Sequence, residues 1–552
     1  VIATGLDPIT AEIIVSGLLY ASEEMGIAVR NAAYSPNIKE RLDHSCALFD
    51  AQLRLVAQAE HIPVHLGSLP WGLRRTLERI ATTGDAMLPG DQWVVNDPYL
   101  SGTHLNDVTV IRPIFVDGAI FGYACNKAHH ADVGGMVPGS MPPNARELFA
   151  EGFIMPPMRL MRDDVVVPET VALFRANSRT PETRSGDLRA QLAGNVTGER
   201  RVRDLVERYG AETVAQATAK AIDDGERRMR AALRAFPDGV AECSDVMEDA
   251  NGRPSIVLRL RLEKRGETMR LDYTGTSPQL PMPLNAVYGV TLSGVYYAIR
   301  ALLAADIPMN DGVFRPIEVY VPEGTLLNPH RPAPVSAGNV ETSMRNADLV
   351  LAALGMLAPD RVPAQSGGSM NNVMMGGVDE RGAPWAFYET NGCGMGARPQ
   401  ADGVDAIQAH MTNTLNTPIE VLERTFPLRV TRYEFADDTA GAGRQRGGAG
   451  LVRALQVRAG SATISLLGER HAVRPRGSAG GGAGAPGRHT LIAAGDEGEP
   501  TMRTLPAKVT LQVNAGETLV VQTAGGGGYG PAGERAATAS ARDAADGIAS
   551  AS

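Results

Sequence analysis

Two short segments hold residue types that could do chemistry together. The first reads Asn96-Asp-Pro-Tyr-Leu-Ser-Gly-Thr-His104-Leu-Asn-Asp107, the second Lys127-Ala-His129-His130-Ala-Asp132-Val-Gly-Gly135. Imidazole nitrogen and carboxylate oxygen are donors that zinc, manganese and iron accept. Two histidines and an aspartate leave coordination positions open for water, as a catalytic cation requires. Such a cation lowers the pKa of water toward neutrality and polarises a carbonyl or phosphoryl oxygen. His104, Asp107 and His129 are therefore the candidate ligands. Asp43, in Glu40-Arg41-Leu42-Asp43-His44-Ser45-Cys46, sits where a strand should begin. It is read as a fourth ligand or as the base that takes a proton from water, with a plain turn residue as the alternative. His130 and Asp132 are assigned to orienting the ligands. His61 and His65, on either side of Pro63, are read as supporting or packing residues ahead of ligands.

A hairpin must bring the ligands together. The runs Val108 to Val116 and Ala119 to Asn126 meet at Asp117-Gly118, a two-residue turn. Pairing Val116 with Ala119 and counting back sets Asp107 opposite Ala128 and Asn106 opposite His129. Strict alternation then puts Asp107 and His129 on opposite faces. The site thus requires the strands to end or bulge, which Pro113 and Gly102 permit.

Around this hairpin the pattern predicts a helix from Ile9 to Ala33, capped by Asp7 with Pro8 in its first turn. A strand pair follows at 45–49 and 53–56, then a helix from a Ser68 cap to Ala81. The stretch 186–236 reads as helical, punctuated by Gly210 and Gly225, and 255–273 as a hairpin. Further helices are expected at 290–305 and 346–357, with short strands between glycines beyond 425. The fold class is α+β (mixed α/β), an amino-terminal antiparallel sheet carrying the metal site and a glycine-rich, β-containing carboxyl-terminal part. The expected divisions are 1–240, 241–425 and 426–530, with a disordered tail at 531–552.

Composition excludes several alternatives. The 552 residues carry 53 Lys and Arg against 62 Asp and Glu, a net charge of -9, whereas a nucleic-acid binder needs a basic face. No apolar run is long enough for a membrane span, and the four cysteines are widely spaced, so a cytoplasmic protein with reduced thiols is expected. No P-loop, HExxH or GxSxG motif occurs. Gly482-Ala-Gly484-Ala-Pro-Gly487 matches a dinucleotide fingerprint only formally. It leads into a strand rather than a helix, so it is read as a loop. Arg474 and Arg476 beside it are read as solvated. Met136, Met141 and Phe153 are candidates for an apolar substrate wall.

The sequence also resembles the hydantoinase B/oxoprolinase family over about residues 5–530. The resemblance rests on Asp7-Pro-Ile-Thr, Glu40-Arg-Leu-Asp-His-Ser-Cys-Ala, Glu60-His-Ile-Pro-Val-His-Leu-Gly-Ser, Asn96-Asp-Pro-Tyr, Gly102-Thr-His-Leu-Asn-Asp107, His129-His-Ala-Asp-Val-Gly-Gly, Pro138-Gly-Ser-Met-Pro-Pro, Gly186-Asp-Leu-Arg-Ala-Gln, Asp272-Tyr-Thr-Gly-Thr-Ser and the late glycine run before Tyr529. It implies a large component working with a hydantoinase A-type ATPase partner, in a heterotetramer or larger assembly. The partner would use ATP to phosphorylate a cyclic amide on its oxygen, and this chain would complete ring opening at a manganese, zinc or iron centre without binding ATP itself. In the related acetone carboxylase a His-x-x-Asp pair and a later histidine hold manganese, roles that fall on His104, Asp107 and His129. The resemblance leaves two alternatives: a component of an acetone- or acetophenone-type carboxylase, and a metal-stabilised scaffold for the ATPase.

Overall fold

A seven-stranded antiparallel sheet carries both chemistry-bearing segments. The computed structural model describes residues 6–59, 61–303, 306–494 and 499–548. The strands are β1 (His44–Asp50), β2 (Leu55–Gln58), β3 (Gln92–Val95), β4 (Asp107–Val116), β5 (Ala119–His129), β6 (Met158–Arg162) and β7 (Val165–Val166). Their spatial order is β2-β1-β5-β4-β3-β6-β7, so the hairpin β4–β5 is flanked on both sides and its backbone is shielded from water.

Helices α1 (Pro8–Ala32), α2 (Pro36–Lys39), α3 (His65–Ala81), α4 (Pro98–Ser101), α5 (Pro168–Ala176), α6 (Pro181–Tyr209) and α7 (Ala211–Arg234) surround it. α1 begins as predicted, with the Asp7 carboxylate accepting from the Thr10 amide and Pro8 in the first turn. Its Ile14, Leu18, Met25 and Val29 pack with Leu48, Ile114 and Ala124 of the sheet. α6 meets the sheet through a polar row instead. Gln191 and Asn195 donate to the Val108 and Val110 carbonyls and bond to Asn126, satisfying groups that burial would otherwise strand. Gly210 divides α6 from α7 as predicted, at φ +83°. Gly225 instead lies inside α7, where a Cβ would collide with the Asn310 side chain. α3 starts three residues earlier than predicted. Ser68 is not its cap, and its hydroxyl donates back to the Val64 carbonyl.

The second sheet, order β11-β10-β9-β8, consists of β8 (Gly239–Glu248), β9 (Pro254–Arg265), β10 (Thr268–Asp272) and β11 (Ile317–Tyr320). α8 (Tyr288–Leu303) and α9 (Ser343–Leu357) pack together, and a π-helical turn, Gly338–Thr342, leads directly into α9. β12 (Asn372–Val378) and β13 (Pro384–Glu389) open a four-stranded sheet completed by Ser461–Leu467 and Lys508–Asn514. A five-stranded sheet follows it, and the 482–487 glycines form loop as expected. One apolar core runs from Val108 through Leu260, Val295 and Leu354 to Met374 and Leu467. It is continuous across the divisions expected at 240 and 425.

In the tail expected to be disordered at 531–552, the described part, to residue 548, corrects that expectation, and 549–552 lie outside the described residues. Ala537–Ala545 is a helix, and Arg535 and Arg446 converge on Asp543 while Arg535 also grips Asp402. Ion pairing to the body orders a segment whose Ala/Ser-rich composition suggested disorder. Among the described residues no helix is long and apolar enough to cross a membrane, and the four cysteines are free thiols.

Candidate metal centre

A one-residue slip in the hairpin builds the site. Ile114 pairs with Gly122 but Phe115 pairs with Ile120, leaving Phe121 as the extra residue of a bulge. Every pair beyond moves by one, so Asp107 stands opposite His129 rather than Ala128, and the two share a face. The bulge needed to reconcile the spacing is thus present, but near the turn rather than at Pro113 or Gly102. His104 arrives from the turn after α4. Gly102 closes that short helix at φ +88°, where a Cβ would also lie 2.8 Å from the Ser68 carbonyl oxygen. Lys127 pins the same loop, donating to the Ser101 carbonyl (2.7 Å) and the Thr103 hydroxyl (3.1 Å). Burial lowers its pKa to about 8.

Three atoms converge. His104 Nε2 lies 3.1 Å from Asp107 Oδ1 and 3.1 Å from His129 Nδ1, and the last two are 3.3 Å apart. Ligand atoms about 2.1 Å from one cation, at angles of about 90–110°, are separated by ~3.0–3.4 Å. The triangle fits one face of a coordination sphere, and all three residues are buried. The donor set fits as well. His104 Nδ1 is 3.2 Å from the Ser336 carbonyl, which can only accept, so that nitrogen carries the proton. In the neutral ring Nε2 then turns a lone pair toward the Asp107 oxygen. Two acceptors held this close call for a shared cation or a proton between them. His129 Nε2 is buried with no hydrogen-bond partner, so the cluster is that ring's polar contact.

The electrostatics show the same tension. Burial alone would raise the Asp107 carboxyl, but the charge of His104 and hydrogen bonds from His104, His129 and His65 hold it well below the ordinary range. Burial alone would lower His104, but the Asp107 carboxylate outweighs it and the ring ends above its ordinary value. For His65 and His129 burial wins and both are lowered.

The surrounding groups fix orientation. The Asp107 carboxylate can only accept, so it fixes the proton of the neutral His65 ring on Nε2. His65 Nδ1 then accepts the hydroxyl proton of Ser45 at 2.8 Å, while Ser45 Oγ accepts from the Ile62 amide. His65 Nε2–H faces Asp107 Oδ2 at 3.3 Å, with Asn339 Nδ2 at 3.5 Å beside it. This leaves Oδ1 for the cluster. Tyr388 stacks on His129 at 4.4 Å between ring centroids, and the Arg41 guanidinium sits 4.9 Å from the centre of the tyrosine ring. Glu151, pushed up to about 7 by burial, accepts from the Ser336 amide and so anchors the residue whose carbonyl faces His104.

Asp43 lies beside the cluster rather than in it. Its carbonyl accepts from the His129 amide, and its carboxylate is 4.0 Å from Arg41. Its charge reaches His104, His65, His129 and Tyr388. His130 and Asp132 correct the expectation that they orient ligands. His130 points to Gln191 of α6 at 2.9 Å and packs edge-on to Phe174. Asp132 is occupied by Arg179 and the Gly134 and Gly139 amides. Nor do the proposed wall residues gather there: Met136 is exposed, and Met141 and Phe153 belong to the main core. Sequence reasoning missed Ser336, Asn339 and Tyr388, more than 200 residues downstream, where only the later fold announces them.

The Hydantoinase B/oxoprolinase family profile matches residues 7–532. The chain belongs to this family. 5-Oxoprolinase 1 of Arabidopsis thaliana is 36% identical over 92% of this chain and 40% of its own length, so the chain spans about two fifths of that relative. A Pseudomonas protein provisionally designated the B-type component of a D-/L-hydantoinase is 30% identical over 95% of this chain and 90% of its own. The crystal structure of ATP-dependent caprolactamase from Pseudomonas jessenii superposes with a TM-score of 0.91 at 30% identity, covering 99% of this chain and 95% of that one. The motifs that carry the resemblance include all three members of the cluster.

Proposed function

We propose that this chain is the B-type component of an ATP-dependent cyclic-amide hydrolase, acting with a hydantoinase A-type ATPase in a heterotetramer or larger assembly. The names 5-oxoprolinase, hydantoinase and caprolactamase share a ring amide as substrate. The observation that carries the reading is the buried triangle of His104, Asp107 and His129, which would hold manganese, zinc or iron. When bound, the cation supplies a Lewis acid and lowers the pKa of water.

The chain's own residues do the rest. His65 and Asn339 hold Asp107 Oδ2, and the Ser336 carbonyl fixes the His104 tautomer. An amide resists water because resonance quenches its carbonyl, and phosphorylation on oxygen by the partner removes that protection. Water then adds to the former carbonyl carbon while the Asp43 carboxylate accepts its proton. The ring C–N bond breaks as that proton passes to the departing nitrogen, leaving an acyl phosphate, and a second water releases phosphate and the carboxylate. Tyr388 and the core around His129 keep bulk water out.

The test is ring opening of 5-oxoproline, hydantoin and caprolactam by the reconstituted complex with ATP. The reading expects hydrolysis of at least one, abolished by Asp107→Asn with assembly intact. Carbon–carbon bond formation dependent on bicarbonate, or full turnover by the variant, would overturn it.

A further inference from the structure

A cavity of about 210 Å³ adjoins the metal cluster across Tyr388, the residue stacked on His129. Asn37, whose amide donates to the His129 carbonyl, is also part of its wall. The first turn of α6 enters it through Thr180, Thr183 and Arg184. No side chain caps this 29-residue helix, so its amino terminus turns free N–H groups and the positive end of the helix dipole outward.

Arg184 is the decisive residue. It is 2% exposed and lines the cavity, yet its Nε and Nη1 have no hydrogen-bond partner. Only Nη2 is engaged, 3.3 Å from Asp187, whose other oxygen accepts from the Tyr34 and Ser35 amides. Buried guanidinium donors left unpaired are costly, and their natural partner is an oxyanion. The indole Nε1 of Trp385, also in the wall, is a second buried donor without a partner. Among the described residues no carboxylate lines the cavity, and Arg184 is its one charged residue.

We propose that this cavity is an oxyanion subsite, taking a phosphate or carboxylate group on the free donors of Arg184, the Trp385 indole and the amino terminus of α6. Its role rests on the hydrolase reading, in which the chain handles both chemistries: phosphate leaves and a carboxylate is made. The two sources are separable by titration. Binding of inorganic phosphate and of 5-oxoproline to this chain is measured by calorimetry, with tryptophan fluorescence as a second readout where Trp385 is retained. Saturable binding of either anion is expected, weakened at least tenfold in Arg184→Gln and severalfold in Trp385→Phe, which serves if the arginine variant fails to fold. Phosphate alone would assign the subsite to the transferred group, and 5-oxoproline alone to a substrate carboxylate. Binding of neither, or equal binding by folded Arg184→Gln, overturns the proposal. Asp107→Asn should lose metal but keep anion binding, so this subsite and the metal reading fail separately.

Discussion

Replacing Asp107 with asparagine keeps the side chain's shape and removes its charge. The structure shows why no rotamer rescues the variant. Asp107 Oδ1 faces His104 and His129, while Oδ2 faces His65 Nε2–H. If the asparagine carbonyl takes the Oδ1 position, its NH2 group meets the His65 donor at about the present 3.3 Å spacing. If the amide flips, a donor faces the cation. Either a ligand or its supporting hydrogen bond is lost, together with a full negative charge. Losing a supporting partner alone costs about 10–100-fold in metal affinity. Both losses together should exceed 100-fold, or about 2.8 kcal/mol. Without metal the variant should melt lower than the parent, because the charge the fold favours on Asp107 is gone and His104 is left without its counter-ion. Chelator-competition titration with manganese and zinc gives the affinity, and thermal melts with and without metal give the linkage. At a metal concentration about 100 times its dissociation constant the parent gains ~2.7 kcal/mol, and the variant should gain almost none. Parent-like affinity in the variant, within threefold, would refute the reasoning.

Three further outcomes follow from the same geometry. His65→Ala removes the donor on Asp107 Oδ2 and should weaken metal binding about 10–100-fold with the three ligands intact, measured by the same titration. Tyr388→Phe keeps the ring against His129 and loses only the hydrogen bond to Asn372, whereas Tyr388→Ala leaves a cavity and should cost about 3–5 kcal/mol in denaturant unfolding. Burial raises Glu341 to about 8, so the folded state favours its neutral form. That contribution is complete below the unfolded value of about 4.3 and is lost as pH rises through about 8. Glu341→Gln should therefore gain on the parent from pH 5 to pH 9, by a few kcal/mol at most, in unfolding titrations.

The cluster was legible because its members sit in one hairpin, where counting from Asp117-Gly118 places them to within one residue. That residue is Phe121, and nothing in Ala119-Ile-Phe-Gly-Tyr marks it as extra, since both faces of this strand are largely buried and give no alternation to break. His130 and Asp132 mislead because proximity in sequence to a ligand is not proximity in space: the residue next to a strand's last ligand turns to the other face, here toward α6. His65 is recognisable as support, but its Ser45–Asp107 relay depends on α3 beginning at His65, and the apparent cap at Ser68 hides that start. Ser336, Asn339 and Tyr388 come from elements whose local sequence carries no metal-site pattern. They reach the cluster only because one core joins the first sheet to the rest of the chain. The tail helix was illegible for a related reason, its order coming from Asp402 and Arg446 far upstream.

The most direct measurement is an anomalous-difference map from crystals of the metal-loaded chain, collected on either side of the manganese, iron and zinc absorption edges. The account predicts one strong peak about 2.0–2.3 Å from His104 Nε2, Asp107 Oδ1 and His129 Nδ1. A map with no peak between those three side chains, at full metal occupancy elsewhere or none at all, would contradict it.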